Sequence, residues 1–136
     1  MRPLLPVLLL LISAKALAYE GVPAEQVKSF FKDLPVNTDK AIDNLYASNA
    51  AISQKVQALT MMKSQMPQVS ALYGEFLGYE VISTEKISPS LVRISVLEKR
   101  NLHAITWEFY FYKPRAKWMI SQAMFFDQFQ NVGTKQ

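Results

Sequence analysis

The chain has 136 residues, 50% of them hydrophobic, 19% charged and 12% aromatic, with a net charge of +4. That length suits one domain, and that composition suits a packed core and not a disordered chain. With no Cys and a single His, a disulfide framework, a thiolate nucleophile and Cys-rich or His-rich metal sites are excluded, and neither a cofactor nor a metal is expected.

The first eighteen residues read as an address. Arg2 supplies a positive start, Leu4 to Ile12 is apolar except for Pro6, and Ala16-Leu17-Ala18 places small residues before a cut after Ala18. This is the three-part pattern of a cleaved secretory signal peptide. The apolar run falls short of the ~20 residues a spanning helix needs, and Lys15 interrupts it, so no stable membrane anchor is expected. Cleavage removes Arg2 and Lys15, half of the +4 net charge. With them goes the electrostatic case for nucleic acid as a partner. The mature domain, 19–136, is then expected in the periplasm or outside the cell, its core about 24–129.

The first half of that domain has helical periodicity. Val27, Phe30, Phe31 and Leu34 share a face, Pro23 suits the first turn, and Pro35 stops the helix. Thr38 serves as N-cap of a second helix with an Ala41, Ile42, Leu45, Tyr46 stripe. Ser48 or Asn49 caps a third, carrying Ile52, Val56, Leu59 and Met66. Pro67 is expected to break it, leaving a last turn with Val69, Leu72 and Tyr73 that ends at Gly74.

After Gly78 the period changes to two. Strands are expected over about 78–87, 91–99, 102–112 and 117–129, joined by short turns and therefore antiparallel. Helices followed by strands define an α+β fold, with the N-terminal helices on one face of a curved four-stranded antiparallel sheet. A two-residue turn at Arg100-Asn101 sets Val96 against Ile105, Ile94 against Trp107, Val92 against Phe109, and Arg93 against Glu108. A second at Arg115-Ala116 sets Phe111 against Ile120, Phe109 against Gln122, Trp107 against Met124, and Ile105 against Phe126. One face then gathers Val92, Ile94, Val96, Ile105, Trp107, Phe109, Phe111, Ile120, Met124 and Phe126, and must meet the helices. In the first strand either Tyr79, Val81, Ser83 and Glu85 face inward, or Glu80, Ile82, Thr84 and Lys86 do.

The element order, with Phe30-Phe31, Ala41-Ile42-Asp43-Asn44-Leu45-Tyr46, Tyr112-Lys113-Pro114, Lys117-Trp118 and Phe125-Phe126-Asp127, resembles the nuclear transport factor 2-like (cystatin-like α+β) superfamily, in particular small exported bacterial members without an assigned role. The resemblance implies a cone with a pocket between the curved sheet and the long helix. It also implies frequent dimerisation through the outer sheet face. It brings no diagnostic catalytic motif, and the fold leaves function open.

Three functions follow as expectations. The first is a non-catalytic binding protein. An apolar small molecule would lie in the cone against Ile94, Trp107, Phe109, Gln122, Met124, Phe126, Tyr46 and Tyr73. Alternatively a protein partner or second copy would cover an apolar outer face of Leu91, Leu97, Tyr110, Tyr112, Met119 and Phe125. The second is a small isomerase or lyase in the same pocket, its candidate catalytic residues His103 with Glu98 opposite, and Glu85. The third is a periplasmic assembly or inhibitor module. The basic turns, Lys99-Arg100 and Lys113 to Lys117, lie at opposite ends of the third strand and read as solvated turns.

Overall fold

The computed structural model describes residues 22–129; the signal segment expected at 1–18 lies outside them. Among the described residues four helices precede four strands: α1 (Pro23–Asp33), α2 (Thr38–Tyr46), α3 (Ala50–Ser53), α4 (Val56–Tyr73), then β1 (Phe76–Ser88), β2 (Leu91–Arg100), β3 (Ile105–Tyr112) and β4 (Met119–Phe126). The architecture is α+β, with a curved, unclosed antiparallel sheet in the order β1-β2-β3-β4.

Pro23 opens α1, and Glu25 near its start and Lys32 near its end complement the helix dipole. Its buried stripe is Val27, Phe30 and Phe31, with Leu34 buried just beyond. The N-cap of α2 is Asn37, whose side chain accepts from the Lys40 amide at 3.0 Å. Thr38, the expected cap, is already helical and donates to the Leu34 carbonyl at 3.2 Å. The chain from Ser48 onward divides differently from the expectation. Asn49 caps the single turn α3, and α4 then runs unbroken through Pro67. A proline in a helix frees the carbonyl four residues back. Pro67 is exposed, so that carbonyl, on Lys63, shares the solvent side and the helix continues.

Gly74 ends α4 at φ +87° and ψ −160°, a conformation reserved for glycine. The chain at 101–102 then grips this exit. The Asn101 carboxamide oxygen accepts from the Glu75 amide at 2.8 Å, and the Leu102 amide donates to the Tyr73 carbonyl at 3.0 Å. Asn101 is therefore not part of a tight hairpin turn, and Arg100 stays in β2 opposite Phe76. The longer connection shifts β3 by two residues from the expected register: Val96 lies opposite Trp107, Ile94 opposite Phe109, and Val92 opposite Phe111. A shift of two keeps every side chain on its face.

The shift in β4 does not. Phe111 lies opposite Ile120 as expected, but Tyr110 then meets Gln122, so Ser121 is bulged out. Beyond it Ala123 faces Phe109, and Phe125 faces Trp107. The one-residue offset exchanges the two faces of the remaining strand. Phe125 turns to the core and Gln122 away from it, the reverse of the expectation, and Phe126 is 41% exposed. A bulge at Ile82 does the same in β1. Tyr79 and Val81 face the inward Glu98 and Val96, whereas Thr84 and Lys86 face the inward Ile94 and Val92. Each expected register for that strand therefore holds for half of it.

The core joins α1 and α2 to β2, β3 and β4. Phe30 meets Trp107 edge-on at 5.1 Å and Phe109 at 5.7 Å, Trp107 and Phe109 stack at 5.5 Å, and Phe31 stacks on Tyr79 at 4.6 Å. Each buried aromatic contributes about 1.5–3 kcal/mol from apolar burial, which suits a chain with no cross-links. The β4 edge is tied to the helices. Ser48 Oγ accepts from the Ile120 amide at 3.0 Å, Asn49 donates to the Ile120 carbonyl at 2.8 Å, and Gln26 donates to the Trp118 carbonyl at 3.2 Å. Side chains thus occupy edge groups that would otherwise recruit a foreign strand.

Candidate functional site

The interior beneath α1 and α2 is occupied by buried side chains. Ile94, Trp107, Phe109 and Tyr46, expected to line a pocket, are buried in the continuous core. Burial pushes the Tyr46 phenol above its ordinary range, and its hydroxyl meets the Ala123 backbone. The open volume lies to one side. α4 packs chiefly on α2 and sinks only Leu59, Met66 and Val69 into the core. Between its other flank and the end of β4 runs a groove of about 730 Å³, within the usual range for small-molecule sites.

Met62, Val69 and Leu72 of α4 form one wall of this groove, with Ile105, Ala123 and Phe125 across from them. Three of the residues expected for a pocket are here: Tyr73, Met124 and Phe126. Gln122 is not among the lining residues and is exposed. Among the described residues the polar lining is Gln65, Gln68, Tyr73, Asp127 and Gln128, of which Asp127 alone is charged.

At the mouth, the Tyr73 hydroxyl donates to the Asp127 carboxylate at 2.5 Å. That hydrogen bond, with added desolvation and the carboxylate's charge, holds the Tyr73 phenol above its ordinary pKa. The His103 ring lies 5.1 Å from the Tyr73 ring and stacks on Phe129 at 5.2 Å. His103 Nδ1 lies 2.6 Å from the Ala104 carbonyl oxygen. A carbonyl can only accept, so Nδ1 carries the proton and Nε2 is the nitrogen left for other chemistry. A phenol, a carboxylate and an imidazole thus meet beside an apolar groove. The two-residue-turn register, which sets Phe126 against Ile105, turns Asp127 to the opposite face; the Ser121 bulge brings it here.

Glu98 does not pair with His103. It lies opposite Ile105, fully buried, and accepts from the Trp107 indole at 3.2 Å and from Arg100 Nε at 2.7 Å. Arg100 also donates to the Gly74 carbonyl at 2.7 Å and to Ser70 Oγ at 3.1 Å. This buried pair fastens the sheet to the end of α4, with both carboxylate oxygens engaged. Glu85 faces Arg93 on the outer side of the sheet and forms a salt bridge with it.

On that outer face Leu91, Leu97, Tyr110 and Met119 are half-buried and Tyr112 is 42% exposed, while Phe125 has left for the inner side. Its centre is polar. Arg93 donates to the Tyr110 hydroxyl at 3.5 Å, and Tyr110 donates to Glu108 at 3.4 Å. Glu108 itself lies opposite Ser95, not opposite Arg93. In the turn before β4, the Lys113 ammonium sits 4.9 Å from the Trp118 ring centroid.

Among the described residues no group of three or more His, Cys, Asp or Glu side chains could hold a metal ion, and no helix is long and apolar enough to cross a membrane. No family model, curated protein or solved structure matches the chain.

Proposed function

We propose that this is an exported, non-catalytic binding protein that holds an apolar small molecule in the groove between α4 and β4. The observation that carries the reading is the apolar groove of about 730 Å³ that adjoins the buried aromatic core. Export rests on the leader pattern of residues 1–18. The order of helices and strands fits the nuclear transport factor 2-like resemblance, which we carry forward as part of the proposal. The polar centre of the outer sheet face moves the weight from a protein partner there to the groove.

The test is native mass spectrometry of the protein isolated from its own exported compartment. An added organic mass, lost in Leu72→Trp, which narrows the groove, supports the reading. A bare chain, a bare dimer or a co-purifying protein overturns it in favour of the sheet surface.

A second reading, a small isomerase or lyase, draws on Tyr73, Asp127 and His103 meeting at the groove mouth. It requires a bound ligand to exchange a carbon-bound hydrogen for solvent deuterium with the native protein and not with Tyr73→Phe or His103→Ala. An unexchanged ligand overturns it.

A further inference from the structure

Resting on that groove reading, we infer that the occupant is a cationic amphiphile: an aliphatic chain along Val69, Leu72 and Phe125, with an ammonium head set against Asp127.

The apolar wall admits any aliphatic chain, so the charge at the mouth selects the head group. Asp127 is the one charged residue of the lining among the described residues. Among the described residues it enters no salt bridge with a Lys or Arg. Tyr73 donates to its Oδ2, which orients the carboxylate while leaving Oδ1 and the remaining lone pairs to accept from a ligand. Among the described residues no cationic side chain lines the groove to pair with a carboxylate, sulfate or phosphate head. Such an anion would sit against Asp127 with its charge unmatched, the arrangement by which sites reject ligands. The Tyr73 ring lines the groove beside this carboxylate, with His103 5.1 Å from it and Phe129 stacked on His103 at 5.2 Å. Aromatic faces favour alkylammonium groups and add nothing for anions.

The experiment is isothermal titration of the protein, as isolated from cells, with three probes of equal chain length below their micellar concentrations: decyltrimethylammonium, decyl sulfate and neutral decyl glucoside. The cation is expected to bind about tenfold tighter than the sulfate, because partial attraction replaces repulsion at an exposed carboxylate. That preference should shrink as salt rises. Asp127→Asn, whose amide oxygen still accepts from Tyr73, should remove the preference and leave the glucoside unchanged. Equal binding of all three probes, or tighter binding of the sulfate, overturns the cationic head while the groove reading stands. Binding of none overturns both. Loss of glucoside binding in Asp127→Asn makes Asp127 a structural residue and overturns its role in selection.

Discussion

Tyr73 donates its phenolic proton to the Asp127 carboxylate across 2.5 Å, fastening the last turn of α4 to the end of β4. The two residues stand 54 positions apart in the chain. The bond closes one end of the groove and orients a carboxylate that lines it.

The bond makes a prediction about pH. The folded state raises the Tyr73 pKa, first through the hydrogen bond to Asp127. A proton held more tightly when folded contributes stability fully below the unfolded value of about 10, and that contribution is lost as pH rises through the folded value. The stability difference between the native protein and Tyr73→Phe should be constant through neutral pH and close only in strong alkali. A phenolate absorbance titration should show Tyr46 and Tyr73 ionising late, and Asp127→Ala should return Tyr73 alone toward the ordinary range. A Tyr73 that ionises with exposed tyrosines would break the argument.

The buried pair Glu98–Arg100 predicts a non-additive mutant cycle. Glu98 is 0% exposed and its carboxylate holds both the Trp107 indole and Arg100. Removing one partner leaves a buried charge uncompensated, at about 3–5 kcal/mol. Glu98→Gln and Arg100→Leu should each cost in that range by urea denaturation. Glu98→Gln with Arg100→Leu should cost clearly less than the two losses summed, because no lone charge remains. Additive losses would mean that the two side chains act independently.

The Ser121 bulge predicts which of two adjacent phenylalanines supports the fold. Phe125 packs on Trp107 at 5.0 Å, whereas Phe126 is 41% exposed. Phe125→Ala should cost about 2–4 kcal/mol, and Phe126→Ala under about 1 kcal/mol. The unbulged register demands the opposite order.

These two residues also mark where the sequence stopped being legible. Alternation of apolar residues was enough to place Ile94, Val96, Trp107 and Phe109 on the inner face, because the real register differs from the two-residue-turn register by two and parity survives. Nothing local announces the bulges at Ser121 and Ile82. No glycine stands at either, and the pairing that creates them depends on partner strands and on Ser48 and Asn49 holding Ile120 in place. One unread bulge put Phe125 and Asp127 on the wrong side, and with Asp127 went the polar corner of the groove. Tyr73 could be read as a helix-borne pocket residue. Its partner, reached only through tertiary register, could not. Pro67 misled for a related reason: its effect depends on whether the carbonyl it frees faces water, and that is a property of packing.

The exit from α4 supplies the last prediction. Gly74 sits at φ +87°, and a Cβ there would fall 1.9 Å from Asn101 Oδ1, the oxygen that accepts from Glu75. Gly74→Ala therefore carries both backbone strain, about 1–3 kcal/mol, and displacement of the Asn101 side chain. Gly78 is a control, since it also has positive φ, +142°, but has nothing within 4 Å of its would-be Cβ. By thermal or urea unfolding Gly74→Ala should be the more destabilising of the two. It should also loosen the Tyr73–Asp127 corner, because the Leu102 amide and Arg100 both bind carbonyls of this turn. In the phenolate titration Tyr73 should move toward the ordinary range in Gly74→Ala and stay put in Gly78→Ala, with Tyr46 late in both. Equal behaviour of the two variants would show that backbone strain alone matters and that Asn101 yields without consequence.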